Sequence, residues 1–147
     1  MIILPTTLAK NATGEFNAII TDVVPPPPHD PFHSTQVFHS DHLYFKHILR
    51  ADMLDNGALA RRMILVFRDD QVDGTHTVWT GAAYSITYWG ATNIDQIFGA
   101  DEFQFFILTV SNNGTQFRGE FKDFTFRTAE PDIESTCKIS GTFNVVL

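Results

Sequence analysis

The sequence predicts an all-β protein, an antiparallel β-sandwich or jelly roll of about eight strands, with a closed β-barrel as the alternative. Three observations favour this fold class. Apolar and polar residues alternate over short stretches, turn-forming Gly, Asn and Asp residues recur at fairly regular intervals, and helical periodicity is almost absent. At 147 residues the chain is long enough to bury a core as a single domain, 1–147.

The first 28 residues are interpreted as an N-terminal arm followed by a stiff spacer. Strands are predicted over 2–8 and 15–24, and the first is short and apolar, as expected of an edge strand or of an arm that adds to a neighbour's sheet. Four prolines follow at 25–28. Because proline lacks a backbone N–H, this run cannot join a sheet ladder and is expected to be extended.

Five of the six histidines lie within 29–47, which makes this segment the candidate metal site. Neutral imidazole binds zinc, copper and nickel, and a carboxylate can complete such a site. The candidate ligands of a divalent metal are His39, Asp41, His42 and His47. Their spacing matches no established zinc motif, and His39 and His42 would lie on opposite faces of a strand. A polar loop entering a strand, with no cofactor, is therefore the favoured interpretation, and a metal site and a pH-sensitive contact are the alternatives.

Two central strands are predicted over 43–51 and 61–67, joined through Asp55-Asn56-Gly57. The second is expected to be buried on both sides because apolar residues fill both of its faces. Residues 53–60 could instead form one helical turn on the connection. The segment 69–74 has the first acidic residues of a calcium loop but lacks the later ligands, so it is interpreted as a solvated acidic turn.

The segment from His76 to Gly90 is predicted to be extended, with a bend at Gly81. It contains both tryptophans and two of the three tyrosines. Aromatic side chains on a half-polar strand can stack on sugar rings or anchor a partner protein. The candidate ligand-binding residues are therefore Trp79, Tyr84, Tyr88 and Trp89. The alternative is that these aromatics are packed core or cross-strand pairs.

The last third of the chain has the clearest strand pattern. A hairpin is predicted over 103–112 and 115–122, because Asn113-Gly114 favours the turn that joins antiparallel strands. Residues 103–110 are apolar at both alternating positions, so this strand is expected to be covered on both faces. The spacing of phenylalanines changes parity after Phe121, which predicts a bulge near 122–123. In the final strand, alternate residues from Ile139 to Leu147 are expected to face the core.

Two loops complete the prediction. Residues 91–100 are expected to form a loop with a short helical turn at 94–98, and 130–134 an acidic loop before the last strand. The carboxylates of the acidic loop favour a solvated turn over a cation site.

A Gly-x-Phe repeat occurs in the closing strands, as Gly119-Glu120-Phe121 and Gly141-Thr142-Phe143. This repeat resembles the closing strands of small bacterial surface β-sandwich proteins of unknown function. The resemblance covers only the last third, and the lipid-attachment cysteine that those proteins carry near their start is missing. The motifs of lipocalin-like and cupin-like barrels are also missing, so the sequence assigns the chain to no family.

Charge and cysteine content exclude several classes of partner. The net charge of −7, with no basic run, argues against nucleic acid or an anionic membrane. A single cysteine, Cys137, rules out an intrachain disulfide and is interpreted as a small buried hydrophobe. Neither a signal peptide nor a membrane span is recognisable, so synthesis in the cytoplasm is the default expectation and the final compartment is unknown.

The sequence favours a protein that is not an enzyme. No set of nucleophile, base and orienting group is recognisable, although such sets assemble in space and an enzyme stays open. The predicted function is a non-catalytic module that acts through surface contacts, as a structural or assembly protein that forms homo-oligomers or binds a protein partner. One alternative is a carbohydrate or small-molecule binder that uses the four aromatics. A second is a metalloenzyme that depends on the histidines.

Overall fold

The computed structural model describes residues 9–42, 44–92, 96–128 and 134–147, and within these ranges the chain consists of strands and turns with no α-helix. The strands are β1 Lys10–Asn11, β2 Thr13–Val24, β3 Phe32–Ser34, β4 Gln36–His42, β5 Phe45–Asp55, β6 Ala58–Phe67, β7 Gly74–Trp79, β8 Tyr84–Trp89, β9 Ile97–Ala100, β10 Phe105–Ser111, β11 Gln116–Thr128 and β12 Thr136–Val146. The all-β prediction is confirmed. The strand predicted over 2–8 and most of the acidic loop 130–134 lie outside the described residues.

The twelve strands form one antiparallel sheet that curls into a half-barrel, rather than the eight-stranded sandwich that the sequence predicted. Neighbours follow the order β1-β4-β5-β6-β8-β9-β11-β12-β2-β3, and β10 pairs with both β11 and β7. Only Ala12 separates β1 from β2, and only Thr35 separates β3 from β4. Strands β1 and β3, which stand at the two ends of this order, therefore belong to the same hairpin of the chain, in which β1 pairs with β4 and β2 pairs with β3. Between these two pairs, the Ala12 amide donates to the Val37 carbonyl at 3.0 Å.

The difference in strand number arises from interruptions within extended segments. Four of the extended segments are each interrupted once, at Ala12, at Thr35, at 80–83 and at 101–104. Each interruption lets the chain change direction or partner without leaving the sheet. β11 shows the same behaviour within one strand, since its first half pairs with β10 and its last residues pair with β9. Strands that change partners in this way produce one curled sheet instead of two stacked sheets.

The inner face of the curl holds a single large core in which phenylalanine predominates. The predicted bulge is confirmed, because the register of β11 against β12 shifts between Phe121 and Phe124 and Asp123 has a φ of 52°. The shift returns Phe124 and Phe126 to the face that already holds Phe121, and all three are buried. Alternate residues of β12 from Ile139 to Val145 face this core as predicted, whereas Leu147 lies beyond the strand and is exposed.

The Gly-x-Phe repeat fits its two strands together in this core. In the β11–β12 ladder Gly119 lies opposite Phe143, and Phe121 lies opposite Gly141. A Cβ at Gly119 would lie 2.3 Å from the Phe143 ring, and a Cβ at Gly141 would lie 2.6 Å from the Phe121 ring. Each glycine therefore leaves the space that the phenylalanine of the neighbouring strand occupies.

Turn predictions are confirmed at two hairpins. Asn56 and Gly57 join β5 to β6 with φ of 52° and 81°, as a two-residue turn with both φ positive requires. The helical turn considered for 53–60 is wrong, because these residues belong to that hairpin. The hairpin of β10 and β11 turns through 112–115, with Asn113 and Gly114 at positive φ. The helical turn proposed for 94–98 is contradicted at Ile97 and Phe98, which belong to β9, and residues 94 and 95 lie outside the described part.

The segment predicted to be an arm and spacer is bound into the fold over much of its length. Strand β2 is paired with β12 on one side and with β3 on the other. The chain then bends at Pro25 and Pro26. After the prolines, Arg61 donates to the carbonyls of Asp30 and Pro31 and to the Tyr88 hydroxyl, which also contacts His29 Nδ1 at 2.8 Å. Burial, more than the Arg61 charge, lowers the pKa of His29.

No helix in the part of the chain that the structure describes is long and apolar enough to cross a membrane.

Candidate functional site

The most unusual surface of the molecule is an apolar one on the outer face of β7 and β10. Trp79 is 54% exposed, Phe105 58% and Ile107 44%, and Phe103 in the preceding corner is 78% exposed. Trp79 and Phe105 are cross-strand partners with ring centroids 5.2 Å apart. We call these four residues the aromatic patch. Exposed large apolar groups that lie together, rather than singly, typically mark an interaction surface.

The prediction that 103–110 is covered on both faces is therefore wrong. The even positions of β10, Phe106, Leu108 and Val110, are buried in the core, while Phe105 and Ile107 face solvent. The continuous apolar run was the correct signal that this strand is unusual. It indicated a second apolar face, and the sequence alone did not show whether that face is covered by the same chain.

A buried hydrogen-bond network holds the corner that presents the patch. Thr80 is 3% exposed, and its hydroxyl donates to the Asp101 carbonyl at 2.6 Å and accepts from the Gln104 amide at 3.0 Å. The Gln104 side chain in turn donates to the Asp101 and Thr125 carbonyls and accepts from the Thr125 amide. The corner 101–104 is thus tied to both β7 and β11, so the patch is presented by a well-connected scaffold.

Phe103 is held in an unfavourable backbone conformation at this corner. Its φ is 65°, in the left-handed region that L residues with bulky side chains rarely adopt. The Phe103 amide donates to the Thr80 carbonyl at 2.9 Å, which holds the corner closed. A strained and largely exposed phenylalanine lowers stability on two counts, and such features concentrate at binding sites.

The patch adjoins both a groove and an open strand edge. The groove, of about 490 Å³, lies beside Phe105 and is also lined by Gln104, Glu120, Lys122 and Asp123. On the other side, β7 pairs only with β10 among the described strands. Its six residues, Gly74–Trp79, include no Lys, Arg, Asp, Glu or Pro, the residues that commonly protect an edge strand from pairing with another chain.

The four aromatic residues predicted to bind a ligand do not form one surface. Tyr84 and Tyr88 are 8% and 0% exposed and belong to the inner core, where burial raises the pKa of each phenol. Trp89 is partly buried on the outer face of β8, with the Arg62 guanidinium 5.0 Å from its ring. Only Trp79 lies on the candidate site. The partners that it does have, Phe103, Phe105 and Ile107, were not predicted.

The environment of Trp89 is a buried charge cluster that serves the fold. Asp52 accepts two hydrogen bonds from Arg62, at 2.7 and 3.2 Å, and both side chains are almost fully buried. Arg50 Nε lies 3.3 Å from Asp52, close enough for an ion pair but without hydrogen-bond alignment. Burial lowers the pKa of Arg50 despite this carboxylate. The cluster is compensated internally, so it is interpreted as structural.

The predicted metal ligands are brought together only in part. His39 Nε2 and His47 Nδ1 lie 3.0 Å apart on the inner side of β4 and β5. His47 Nε2 contacts Asp70 at 2.6 Å. Asp41 and His42 are exposed and join neither contact, although the charge of Asp41 partly offsets the lowering of the His39 pKa by burial and by His47.

Asp70 was missed by the sequence analysis, because it contacts a histidine 23 residues away and no local pattern reports that contact. The acidic residues of the turn 69–74 are exposed, as predicted, and Asp73 accepts hydrogen bonds from the Asn113 and Gly114 amides, each at 2.9 Å. Over the described ranges, no three His, Cys, Asp or Glu residues are grouped so as to hold a metal ion.

Comparisons with protein-family models, with curated proteins and with solved structures found no match for this chain.

Proposed function

We propose that this protein is a non-catalytic assembly module that forms homo-oligomers through β7 and the aromatic patch. The observation that carries the proposal is the juxtaposition of four exposed apolar side chains with a strand edge that has no described partner. An open edge supplies main-chain hydrogen bonds to an added strand, and apolar side chains beside it supply the buried area.

The size of this surface suits a modest protein interface. A large aromatic side chain buries about 150–250 Å², so at the fractions exposed here the four residues present on the order of 400 Å² of apolar area. This area lies within the range of about 300–600 Å² for the largest apolar patch on a monomer, which is often functional. Together with the edge of β7 it approaches the roughly 800 Å² that each partner buries in a standard interface.

A second copy of the chain fits this surface better than a charged partner does. Each copy carries a net charge of −7, so most of their surfaces repel, but β7 has no acidic side chain. Two β7 strands can pair antiparallel about a two-fold axis without placing like charges opposite each other. In the register centred on Thr77, Thr75 lies opposite Trp79, and both side chains are on the outer face of the sheet.

Sedimentation velocity on tag-free protein tests the proposal. We expect a species of twice the 16.6 kDa chain mass, which Trp79→Ser and Phe105→Ser convert to a monomer. Thr77→Lys, which puts a charge on the open edge, should do the same. Leu54→Ser, at an exposed apolar position in another hairpin, and Thr142→Lys, on a strand paired on both sides, are the matched controls. A wild-type protein that stays monomeric at every concentration up to about 100 μM, well above the dissociation constant of a micromolar interface, would refute the assembly.

Carbohydrate binding is the second candidate, and one observation favours it. Phe105, the cross-strand partner of Trp79, lines a groove whose other side chains include Gln104, Lys122 and Asp123. Aromatic faces with neighbouring hydrogen-bonding groups suit a sugar ring. Tryptophan fluorescence titrated with a glycan panel distinguishes the two functions, because a binder should respond through Trp79 and lose the response in Trp79→Phe. A flat response across the panel rules this candidate out.

A further inference from the structure

The geometry of His39 and His47 points to a second site, which is separate from the assembly surface and does not depend on it. His39 on β4 and His47 on β5 share the core-facing parity of Val37 and Leu49, which are buried. The two imidazoles therefore project from neighbouring strands toward the same space. Their nitrogens, Nε2 of His39 and Nδ1 of His47, lie 3.0 Å apart.

The His47 ring is fixed in orientation by groups from three other elements. Asp70, in the loop before β7, lies 2.6 Å from Nε2. The Phe117 ring of β11 packs 4.7 Å away between centroids, and Phe67 of β6 lies edge-on at 6.4 Å. An ionised carboxylate only accepts hydrogen bonds, so Nε2 of a neutral His47 carries the proton and Nδ1 presents its lone pair to His39.

This arrangement matches the way proteins prepare a histidine for a metal. Ligating histidines commonly donate their second ring N–H to a carboxylate, which sets the tautomer and raises the basicity of the ligating nitrogen. We propose that His39 Nε2 and His47 Nδ1 bind one first-row transition-metal ion, with Asp70 as the orienting carboxylate and water in the remaining positions. In the metal-free state His39 donates Nε2–H to His47, and binding requires that this proton move to Nδ1 of His39 and that the two rings turn until both lone pairs point at the metal.

The separation of the two nitrogens selects among metals. With metal–nitrogen distances of about 2.0–2.1 Å, a separation of 3.0 Å corresponds to an angle of roughly 94° at the metal. An angle near 90° is that of neighbouring ligands in square-planar or tetragonal sites, which Cu²⁺ and Ni²⁺ prefer. Tetrahedral Zn²⁺ requires the nitrogens to separate to about 3.3 Å. We therefore expect the affinity order Cu²⁺, then Ni²⁺, then Zn²⁺.

The set of ligands differs from the one that the sequence predicted. Asp41 and His42 are exposed at the end of β4, where its register against β5 is irregular, and neither residue joins the pair of His39 and His47. With two protein ligands the site is smaller than the groups of three or more acidic, His or Cys residues that hold metals most tightly, none of which occurs in the described residues. We expect a micromolar affinity, not the tight binding of a structural zinc.

Isothermal titration of tag-free protein with CuCl₂, NiCl₂ and ZnCl₂ tests the site. We expect one Cu²⁺ per chain, loss of binding in His39→Gln and in His47→Gln, and a 10- to 100-fold weaker affinity in Asp70→Asn. His42→Gln and His33→Gln are the matched controls and should bind as the wild type does. No stoichiometric Cu²⁺ binding by the wild type, or binding that survives His39→Gln or His47→Gln, overturns the proposal.

Electron paramagnetic resonance of the Cu²⁺ complex guards against a variant that simply misfolds. The wild-type spectrum should show a tetragonal ion coupled to two imidazole nitrogens. The His42→Gln spectrum should be identical, and circular dichroism should show that all five variants retain the β-sheet signal. A spectrum with one nitrogen, or one that changes when His42 is replaced, contradicts the assignment even if Cu²⁺ binds.

Discussion

Replacement of Gly119 by Ala tests whether the glycines of the Gly-x-Phe repeat are needed to make room for the phenylalanine rings of the neighbouring strand. The added Cβ would lie 2.3 Å from Phe143 Cζ, about 1.1 Å inside the 3.4 Å at which ordinary contact begins. The ring cannot move away freely, because it stacks on Phe16 with centroids 5.6 Å apart. Overpacking of this kind costs about 1–3 kcal/mol. The smaller entropy of the unfolded Ala chain offsets about 0.5 kcal/mol or more of that. We expect a net destabilisation of about 1–2 kcal/mol.

The clash predicts a specific coupling between the two positions. In a Phe143→Leu background the ring atoms that oppose residue 119 are gone, so Gly119→Ala should cost almost nothing there. Urea unfolding of the four proteins of this cycle measures the coupling, which we expect to be about 1–2 kcal/mol in favour of the double variant. Thr142→Ala, on the outer face of β12, is the control and should stay within about 0.5 kcal/mol of the wild type.

Two results would refute this reasoning. One is a Gly119→Ala protein as stable as the wild type, which would mean that the strands adjust without strain. The other is additive behaviour, in which Gly119→Ala costs the same with Leu or Phe at 143. Either result would mean that the Gly-x-Phe repeat does not contribute to the packing of β11 against β12.

Two further predictions concern Cys137 and Asp73. Cys137 is 1% exposed and burial raises its pKa to about 12, so a thiol reagent at pH 8 should label it only at the rate of global unfolding; fast labelling of native protein would contradict this. The folded thiol holds its proton more strongly than the unfolded one, so its contribution to the free energy of unfolding is complete below about pH 9. That free energy then falls by up to about 1.4 kcal/mol per pH unit as the pH rises toward 12. Urea titrations at alkaline pH should show this fall in the wild type and not in Cys137→Ala. Asp73 is exposed and accepts hydrogen bonds from the Asn113 and Gly114 amides, so Asp73→Ala should cost about 0.5–1.5 kcal/mol in urea unfolding, and no measurable cost would show that water replaces these bonds.

Features of the fold that depend on neighbouring residues could be predicted from the sequence. The bulge after Phe121 followed from a change of parity within one strand, and the turns at Asn56-Gly57 and Asn113-Gly114 followed from residues that tolerate positive φ. Each is a local property of the chain. The same local reasoning counted eight extended segments, but the interruptions at Ala12 and Thr35 are set by how distant strands meet.

The candidate sites depend on contacts that local reasoning does not reach. Asp70 becomes a partner of His47 only through the loop that carries it over the sheet. Trp79 lies on the surface and Tyr84 in the core, although both were assigned to one platform, because odd and even positions of this segment occupy opposite faces on both sides of the bend at 80–83. The apolar character of Phe105 and Ile107 was visible, but their exposure depends on the absence of a covering layer, which sequence alternation does not encode.

Hydrogen–deuterium exchange of the β7 amides at two protein concentrations tests the assembly through this edge most directly. Amides on an open edge exchange quickly in the monomer and become protected when a second strand pairs with them. Peptides covering Gly74–Trp79 should exchange more slowly well above the dissociation constant than well below it, while peptides from the interior strand β12 should exchange equally at both. Exchange in β7 that does not change with concentration, in a protein that sediments as a dimer, would place the interface elsewhere and contradict the account.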